Sequence, residues 1–166
     1  MLRVMQNELK NFRNTPSTEE LRAVFSILHD GTISAWAADS TILTLTIDCL
    51  YLAERIDKSF DKFYVGLRGV DKAELEPWTA PASLPAVVKT KPADIFHAEL
   101  EILSAEIKDD AVIVSCNQHN TDLGYSGGNL IISCQSVKVF DHHKNEMTIE
   151  QLQAISKGYW EEWSKK

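Results

Sequence analysis

The sequence predicts an α+β protein: an antiparallel β meander of about eight strands, curled into a sandwich or half-barrel, with N-terminal helices and a C-terminal amphipathic helix. Apolar and polar residues alternate along several segments, most clearly where Leu43, Leu45 and Ile47 are interleaved with Thr44 and Thr46. Such alternation is typical of half-buried strands, whereas a parallel doubly wound sheet would show continuous apolar runs. Helical spacing of apolar residues is confined to the two ends of the chain.

Length and composition limit the class of protein. The chain has 166 residues, of which 44% are hydrophobic and 25% charged, so we expect one globular domain over residues 1–166. The formal net charge of -7 repels phosphate backbones and no Lys/Arg cluster offsets it, so nucleic-acid binding is not expected. No apolar run approaches the roughly 18 residues that a membrane span needs.

Two helices are predicted near the N-terminus. The first covers residues 1–14 and ends before Pro16, because proline disfavours helical geometry in the residue that precedes it. The second begins with a capping box over residues 17–20 and is closed by Gly31. Its apolar face is formed by Leu21, Val24, Phe25 and Leu28. A strand over residues 24–28 is the alternative.

Period-two patterns predict the strands that follow. They cover residues 33–37, 41–52, 63–67, 73–78, 95–107 and 111–116, with one or two more between 129 and 140. Turns are predicted at 39–40 and 109–110, and loops at 79–91 and 117–128.

The C-terminal helix is predicted from a second capping box, in which Thr148 is the N-cap and Gln151 stands three residues later. One helical face carries Ile149, Leu152, Ile155, Tyr159 and Trp163. Trp160 lies off this stripe, so we expect it to be an exposed binding contact.

The three cysteines, Cys49, Cys116 and Cys134, are odd in number and form no C-x-x-C motif. Each lies in an apolar run, where cysteine behaves as a small buried hydrophobe. With no disulfide framework and no N-terminal apolar signal segment, we expect a reducing, cytoplasmic location.

Residues 124–128, Gly-Tyr-Ser-Gly-Gly, match the G-x-S-x-G motif of the nucleophile elbow. That motif works where a strand turns sharply into a helix. Here the apolar residues from Leu130 predict a strand, and the sequence lacks βα alternation. The motif is therefore interpreted as a hairpin loop whose glycines supply positive φ, rather than as a hydrolase site.

His119, Asp141 and His142 carry atoms that ligate metals, and they form a metal-dependent alternative. Zinc sites usually show two ligands at a defined short spacing, which these residues do not. A solvated turn is the preferred interpretation of Asp141 and His142, so neither a metal nor another cofactor is expected.

His29 and Asp30 precede Gly31 at a polar corner. A His-Asp pair is found in metal phosphohydrolases, but these need further ligands on neighbouring helices, and too few helices are predicted. The preferred interpretation is a turn in which Asp30 accepts backbone hydrogen bonds. Both residues are kept as candidate binding residues.

Glu99 and Glu101 alternate with Leu100 and Ile102, which predicts an acidic ridge on one face of the sheet. Further acidic residues follow at 106, 109 and 110. Such a ridge is usually only solvated, but it also suits a basic cleft on a partner protein.

Three motifs carry a resemblance to known proteins. They are His29-Asp30-Gly31-x-Ile33, Leu43-x-Leu45-x-Ile47 and Phe63-x-x-Gly66-Leu67-x-Gly69-Val70. Over residues 25–80 the chain resembles a loose group of small bacterial β-rich domains, some of them similar to immunity proteins of polymorphic toxin systems. The resemblance implies a non-enzymatic protein with an acidic binding face and no cofactor, and it assigns no functional residue.

The predicted function is a non-enzymatic cytoplasmic binding protein, a class that includes immunity-type inhibitors. It would present an acidic and aromatic surface to a protein partner such as a basic toxin or enzyme. The candidate binding residues are His29, Asp30, Glu99, Glu101 and Trp160. The alternative is a small-ligand or metal-dependent enzyme with a pocket at the mouth of a curved sheet. That pocket would use His29, Asp30, His119, Asp141 and His142.

Overall fold

The computed structural model describes residues 16–79, 85 and 87–166, so the helix predicted over residues 1–14 lies outside the described residues. The helices are α1 (Pro16–Ile27), α2 (Leu50–Ala53), α3 (Pro92–Phe96) and α4 (Ile149–Ser164). The strands are β1 (Thr32–Ala38), β2 (Ile42–Asp48), β3 (Lys62–Arg68), β4 (Lys72–Pro77), β5 (Leu100–Lys108), β6 (Ala111–Gln118), β7 (Gly128–Ser133), β8 (Ser136–Phe140) and β9 (Glu146–Met147). In these ranges no helix has both the length and the apolar character that a membrane crossing requires.

The nine strands in these ranges form one open antiparallel sheet in the order β4-β7-β6-β5-β1-β2-β3-β8-β9, which confirms the α+β class. Strands β1 to β3 and β5 to β7 are meanders, whereas β4 and β8 are reached by crossovers to distant positions in the sheet. Within the described ranges, β1 pairs with β5 only at Thr32 and Glu101, so the sheet divides there into two halves.

Helix α1 packs against both halves of the sheet, on β5 and β6 on one side and on β8 on the other. Because three strands separate β5 from β8, the sheet must curve around the helix. The buried stripe is the predicted one, namely Leu21, Val24, Phe25 and Leu28, each at most 1% exposed. Each of these side chains contributes roughly 1.5–3 kcal/mol by leaving water.

Residues 24–27 lie in α1 and Leu28 in the turn that follows, so the helix is confirmed over the strand alternative at 24–28. The predicted capping box is wrong in position, because α1 begins at Pro16 and Ser17 already lies inside the helix. Proline suits the first helical position. Its φ is fixed near the helical value, and the N–H group that it lacks would have no partner within the helix at that position.

Strand β2 confirms the predicted alternation, with Leu43, Leu45 and Ile47 buried on one face. The strand ends earlier than predicted, because Cys49 is the N-cap of the short helix α2. Leu52 and Ala53 turn inward from that helix. A run of apolar residues fits a strand or a helical turn equally well, so periodicity could not locate this boundary.

The strand predicted over residues 95–107 begins too early. Pro92 lies in the first turn of α3, which buries Ile95 and Phe96. Glu99 then adopts a left-handed φ of +53°, and β5 starts only at Leu100. Glu99 is therefore outside the strand, and the predicted alternation of Glu99 with Glu101 along one sheet face is wrong.

Helix α4 confirms its predicted cap. The Thr148 hydroxyl accepts a hydrogen bond from the Gln151 N–H at 3.1 Å, and the Gln151 side-chain oxygen accepts one from the Thr148 N–H at 2.8 Å. This reciprocal pair turns the chain into the helix immediately after the two-residue strand β9.

The corner between α1 and β1 differs from the prediction. Asp30, and not Gly31, takes the left-handed conformation, with φ at +67°. Gly31 is needed for another reason. A Cβ atom at this position would lie 2.8 Å from the Leu28 carbonyl oxygen and 2.9 Å from Cγ2 of Ile47. The end of α1 can approach β2 only because this residue has no side chain.

Replacing Gly31 with alanine is expected to lower the free energy of unfolding by about 1–3 kcal/mol, because the new methyl group overpacks the corner. Urea denaturation measures the loss. The matched control is Gly66→Ala on β3, where the nearest atom to a new Cβ would be 3.6 Å away. That variant should lose nothing and gain up to about 1 kcal/mol. Equal losses in the two variants would contradict this account of the corner.

Candidate functional site

The structure brings three of the predicted binding residues, His29, Asp30 and Trp160, to one end of the molecule. The His29 imidazole stacks on the Trp160 indole, with ring centroids 5.3 Å apart and planes 16° from parallel. Tyr51 and Tyr159 adjoin this pair, and the centroids of their own rings are 4.6 Å apart. Trp163 extends the group at 5.8 Å from Trp160. We call His29, Tyr51, Tyr159, Trp160 and Trp163 the aromatic cluster.

His29 is held by the end of α1. Its Nδ1 lies 2.8 Å from the Ser26 carbonyl oxygen. A carbonyl only accepts hydrogen bonds, so Nδ1 carries the proton and Nε2 has the free lone pair when the ring is neutral. Nε2 lies 3.9 Å from Oδ2 of Asp30, whose carboxylate is exposed. The Asp30 carboxylate was predicted to accept backbone hydrogen bonds at the turn. In the described residues it accepts none, so that prediction is wrong.

Tyr51 connects the aromatic cluster to the backbone of the turn between α1 and β1, because its hydroxyl donates a hydrogen bond to the His29 carbonyl oxygen at 2.8 Å. Burial raises the pKa of Tyr51 well above its ordinary value. Burial also raises the pKa of the neighbouring Cys49 thiol to about 12. Both groups are therefore neutral near pH 7, and Cys49 is not a thiolate nucleophile.

An ion pair holds the far end of α4 in place. The guanidinium of Arg55, in the turn after α2, contacts both carboxylate oxygens of Glu162 at 2.6 and 3.1 Å. The hydrogen bond raises the pKa of Arg55 and lowers that of Glu162. A two-pronged contact of this kind specifies geometry, although its exposure to water limits its contribution to stability. It positions the helical turn that carries Trp160 and Trp163.

The two tryptophans exchange their predicted environments. Trp160 is half-buried against His29, whereas Trp163 is 59% exposed. The predicted stripe does face inward near the start of α4, where Leu152 is buried. At the far end of α4, Trp160 turns towards the corner and Trp163 has little of the protein beneath it. Leu50, the first residue of α2, is also prominent at 58% exposed.

Sequence reasoning missed Leu50 and Tyr51, which it placed in a strand over residues 41–52. The signal that was present is the break in alternation after Cys49, where four apolar residues follow one another at 50–53. That break is characteristic of a change in secondary structure, but it does not indicate which ring the Tyr51 side chain meets.

The other predicted binding residues lie elsewhere in the sheet. Glu101 is on β5, and its Oε2 is 3.0 Å from Nε2 of His119. The same nitrogen lies 3.1 Å from the Thr32 hydroxyl. Glu99 is exposed at the turn before β5, where its carbonyl oxygen accepts the His119 N–H at 3.0 Å. These residues form a local polar group that connects β1, β5 and the end of β6.

Asp141 and His142 form a turn after β8, apart from His119. Oδ1 of Asp141 accepts hydrogen bonds from the N–H groups of His143 and Asn145, both at 2.9 Å. The His142 ring stacks on Phe60, and its Nδ1 lies 3.1 Å from Oδ1 of Asp61. Among the described residues no group of three or more His, Cys, Asp or Glu side chains is arranged to hold a metal ion.

The first four residues of the G-x-S-x-G sequence lie in the loop between the paired strands β6 and β7, and Gly128 begins β7, so the hairpin-loop interpretation is confirmed. Gly124 and Gly127 take φ values of +72° and +90°. A nucleophile elbow requires a helix directly after the motif. Here the chain continues into strand β7 instead.

Removing the Tyr51 hydroxyl with Tyr51→Phe is expected to cost about 0.5–1.5 kcal/mol of unfolding free energy, because the His29 carbonyl loses its donor. Urea denaturation gives the value. Tyr159→Phe is the matched control, since the described residues provide no hydrogen-bond partner for the Tyr159 hydroxyl. If Tyr159→Phe costs as much as Tyr51→Phe, the hydrogen bond does not hold the corner.

Alkaline pH is expected to destabilise the fold. Burial raises the pKa of Cys49 and Cys116 to about 12, and that of Cys134 to about 11. Cysteine thiols in an unfolded chain have a pKa of about 8.5, so above that pH the unfolded chain loses protons that the folded protein keeps. The free energy of unfolding should therefore be level near neutrality and fall as the pH rises from about 8.5 towards 11.

Urea denaturation across this pH range measures the slope. Cys49→Ala should make the alkaline decline shallower, whatever its effect on stability at neutral pH. A free energy that is unchanged up to about pH 11 would contradict the assignment of buried, protonated thiols.

Comparison of the chain with protein-family models, with curated proteins and with solved structures finds no match. The resemblance of residues 25–80 to small bacterial β-rich domains therefore stays an expectation from the sequence.

Proposed function

We propose that the protein is a non-enzymatic binding protein that recognises a basic protein partner through the aromatic cluster and Leu50. The observation that carries the proposal is the exposure of two large apolar side chains. Trp163, at 59%, adjoins the ring of Trp160, and Leu50, at 58%, precedes Tyr51 in α2.

The composition of this surface favours protein recognition. Tryptophan, tyrosine and arginine are the residue types that dominate binding energy at protein interfaces, and they do so where their neighbours exclude water. The cluster contains two tryptophans and two tyrosines, and Arg55 lies beside it, in contact with Glu162. The hydrogen bond of Tyr51, the stack of His29 on Trp160 and the Arg55–Glu162 pair hold these groups in place before a partner arrives. Such preorganisation lowers the entropy cost of binding.

Charge supports a basic partner. The chain carries a net charge of -7. Asp30 and Glu54, on the elements that carry His29 and Tyr51, are exposed and have no Lys or Arg ion-pair partner in the described residues. A positively charged partner surface would gain from pairing with these two carboxylates, while Arg55, and to a smaller extent Lys165 and Lys166 at the end of α4, act on Glu162 and lower its pKa. An inhibitor of a basic toxin or enzyme, the immunity-type role, matches this description.

Calorimetric titration with the purified products of the reading frames on either side of this one tests the proposal. We expect one of them to form a complex, and we expect Trp163→Ala and Leu50→Ala each to weaken it by about tenfold or more, since both truncate exposed contacts. Neither side chain is buried in the free protein, so the variants should fold normally.

Trp36→Ala is the matched control, because Trp36 is also exposed, at 39%, but lies on β1 away from the cluster. It should leave the affinity unchanged. The proposal fails if none of the neighbouring products binds. It also fails if Trp36→Ala weakens the complex as much as Trp163→Ala does.

A further inference from the structure

We propose that the open edge of β8 accepts an extended, Lys/Arg-containing segment of a partner protein as an additional strand. This surface is separate from the aromatic cluster. The cluster lies where α1 and α4 end, whereas the edge lies beside the first turns of both helices. The inference therefore goes beyond the proposed function and does not depend on it.

Strand β8 is only partly covered on its outer side. The two residues of β9, Glu146 and Met147, pair with Phe140 and Val139. The chain then turns away into α4 at Thr148, where the capping box fixes the change of direction. Among the described residues, no strand lies beside 136–138 on that side. Backbone N–H and C=O groups on such an edge are a template for a further strand.

The uncovered edge faces a groove of about 460 Å³. One wall is β8, through Val137, Lys138 and Val139, and the opposite wall is α1, through Arg22 and Ala23. The end of β9 and the start of α4 close one end of the groove. A groove between an edge strand and a helix is where proteins take up an extended peptide, with backbone hydrogen bonds to the strand and side-chain contacts to the helix.

The charges around the groove indicate the occupant. Four carboxylates line it, those of Glu19, Glu20, Glu146 and Glu150. Among the described residues, two cations do so. Arg22 pairs with Glu19 at 3.2 Å, and Lys138 pairs with Glu146 at 3.4 Å. Four carboxylates less two cations leave two negative charges, on Glu20 and Glu150, which have no ion-pair partner in the described ranges.

Alternate side chains of an incoming strand would face α1 and the start of α4, so Lys or Arg at those positions would meet Glu20 and Glu150, and the apolar residues between them would face away from α1. A lysine on an edge strand can repel an incoming basic strand. The ammonium of Lys138 is paired with the Glu146 carboxylate, which offsets its charge. An acidic strand would meet uncompensated negative charge, so charge complementarity selects a basic segment.

Fluorescence anisotropy with a labelled, end-blocked hexapeptide, Lys-Val-Arg-Val-Lys-Val, tests the inference on the full chain. Saturable binding is expected, and the acidic counterpart Glu-Val-Glu-Val-Glu-Val should bind at least tenfold more weakly. Two further versions of the basic peptide carry backbone N-methyl groups at alternate residues, one version for each edge of the strand. Only one peptide edge faces β8, so one version should lose at least tenfold in affinity while the other binds like the parent.

The double variant E20K/E150K should weaken the basic peptide by at least tenfold, because it reverses both unpaired carboxylates. The matched control is E106K/D110K, which makes the same charge change at the distant β5–β6 hairpin and should leave binding within about twofold of the wild type. Amide hydrogen exchange should slow at Val137 when the basic peptide is bound, because residues 137, 139 and 141 share the outer side of β8 and only 137 has no strand beside it in the described ranges.

Three results would overturn the inference: no saturable binding of the basic peptide, equal binding of both N-methylated versions, or equal weakening by the two double variants. The second would show electrostatic adsorption without strand addition, and the third a general effect of net charge. None of these readouts involves the aromatic cluster, so failure here leaves the proposed function untouched.

Discussion

The burial of one apolar stripe of α1 against both halves of the sheet is the interaction on which the rest of the structure depends. Leu21, Val24, Phe25 and Leu28 reach strands that stand far apart in the strand order. A flat sheet would cover the helix on one side only, so the chain buries the full stripe by bending the sheet where β1 and β5 separate. The curvature follows from the requirement to remove these side chains from water.

The same packing determines where the aromatic cluster forms. Because α1 ends against β2, with Gly31 allowing the close approach, the His29 ring projects from a fixed corner. Helix α4 packs along α1 and brings Trp160 onto that ring. Trp163 lies one turn further on, where the support ends, and it remains exposed. The prominent surface of the protein is thus a consequence of where two helices end.

The N-terminal ends of these helices produce the second surface. The capping box at Thr148 begins α4 abruptly, so β9 remains only two residues long and part of the β8 edge has no strand beside it. The interaction that stabilises the helix therefore also leaves the edge open. Acidic residues of α1, β9 and α4 collect around it, which gives this groove its negative charge. Both surfaces come from local helix-terminal chemistry placed by one global packing arrangement.

Much of the fold could be predicted from the sequence, because the relevant information is local. The alternation in β2, the stripe of α1 and the capping box of α4 each depend on residues within one turn or one strand, and the structure confirms them. The prediction was wrong where local patterns are ambiguous. The apolar pair Ile95 and Phe96 suits a strand or a helical turn, and only its packing beneath the sheet places it in α3.

What only the tertiary structure decided is which distant residues meet. His29 and Trp160 were binding candidates from the sequence, but their contacts with each other and with Tyr51 depend on a sheet that curves around α1 and on a helix that returns along it. The exposure of Trp163 and the open edge of β8 were decided in the same way. The sequence by itself determined the apolar faces of α1 and β2 and the residue at which α4 begins. Three-dimensional packing alone determined which side chains remained uncovered, because burial is a property of neighbours that periodicity along one segment does not contain.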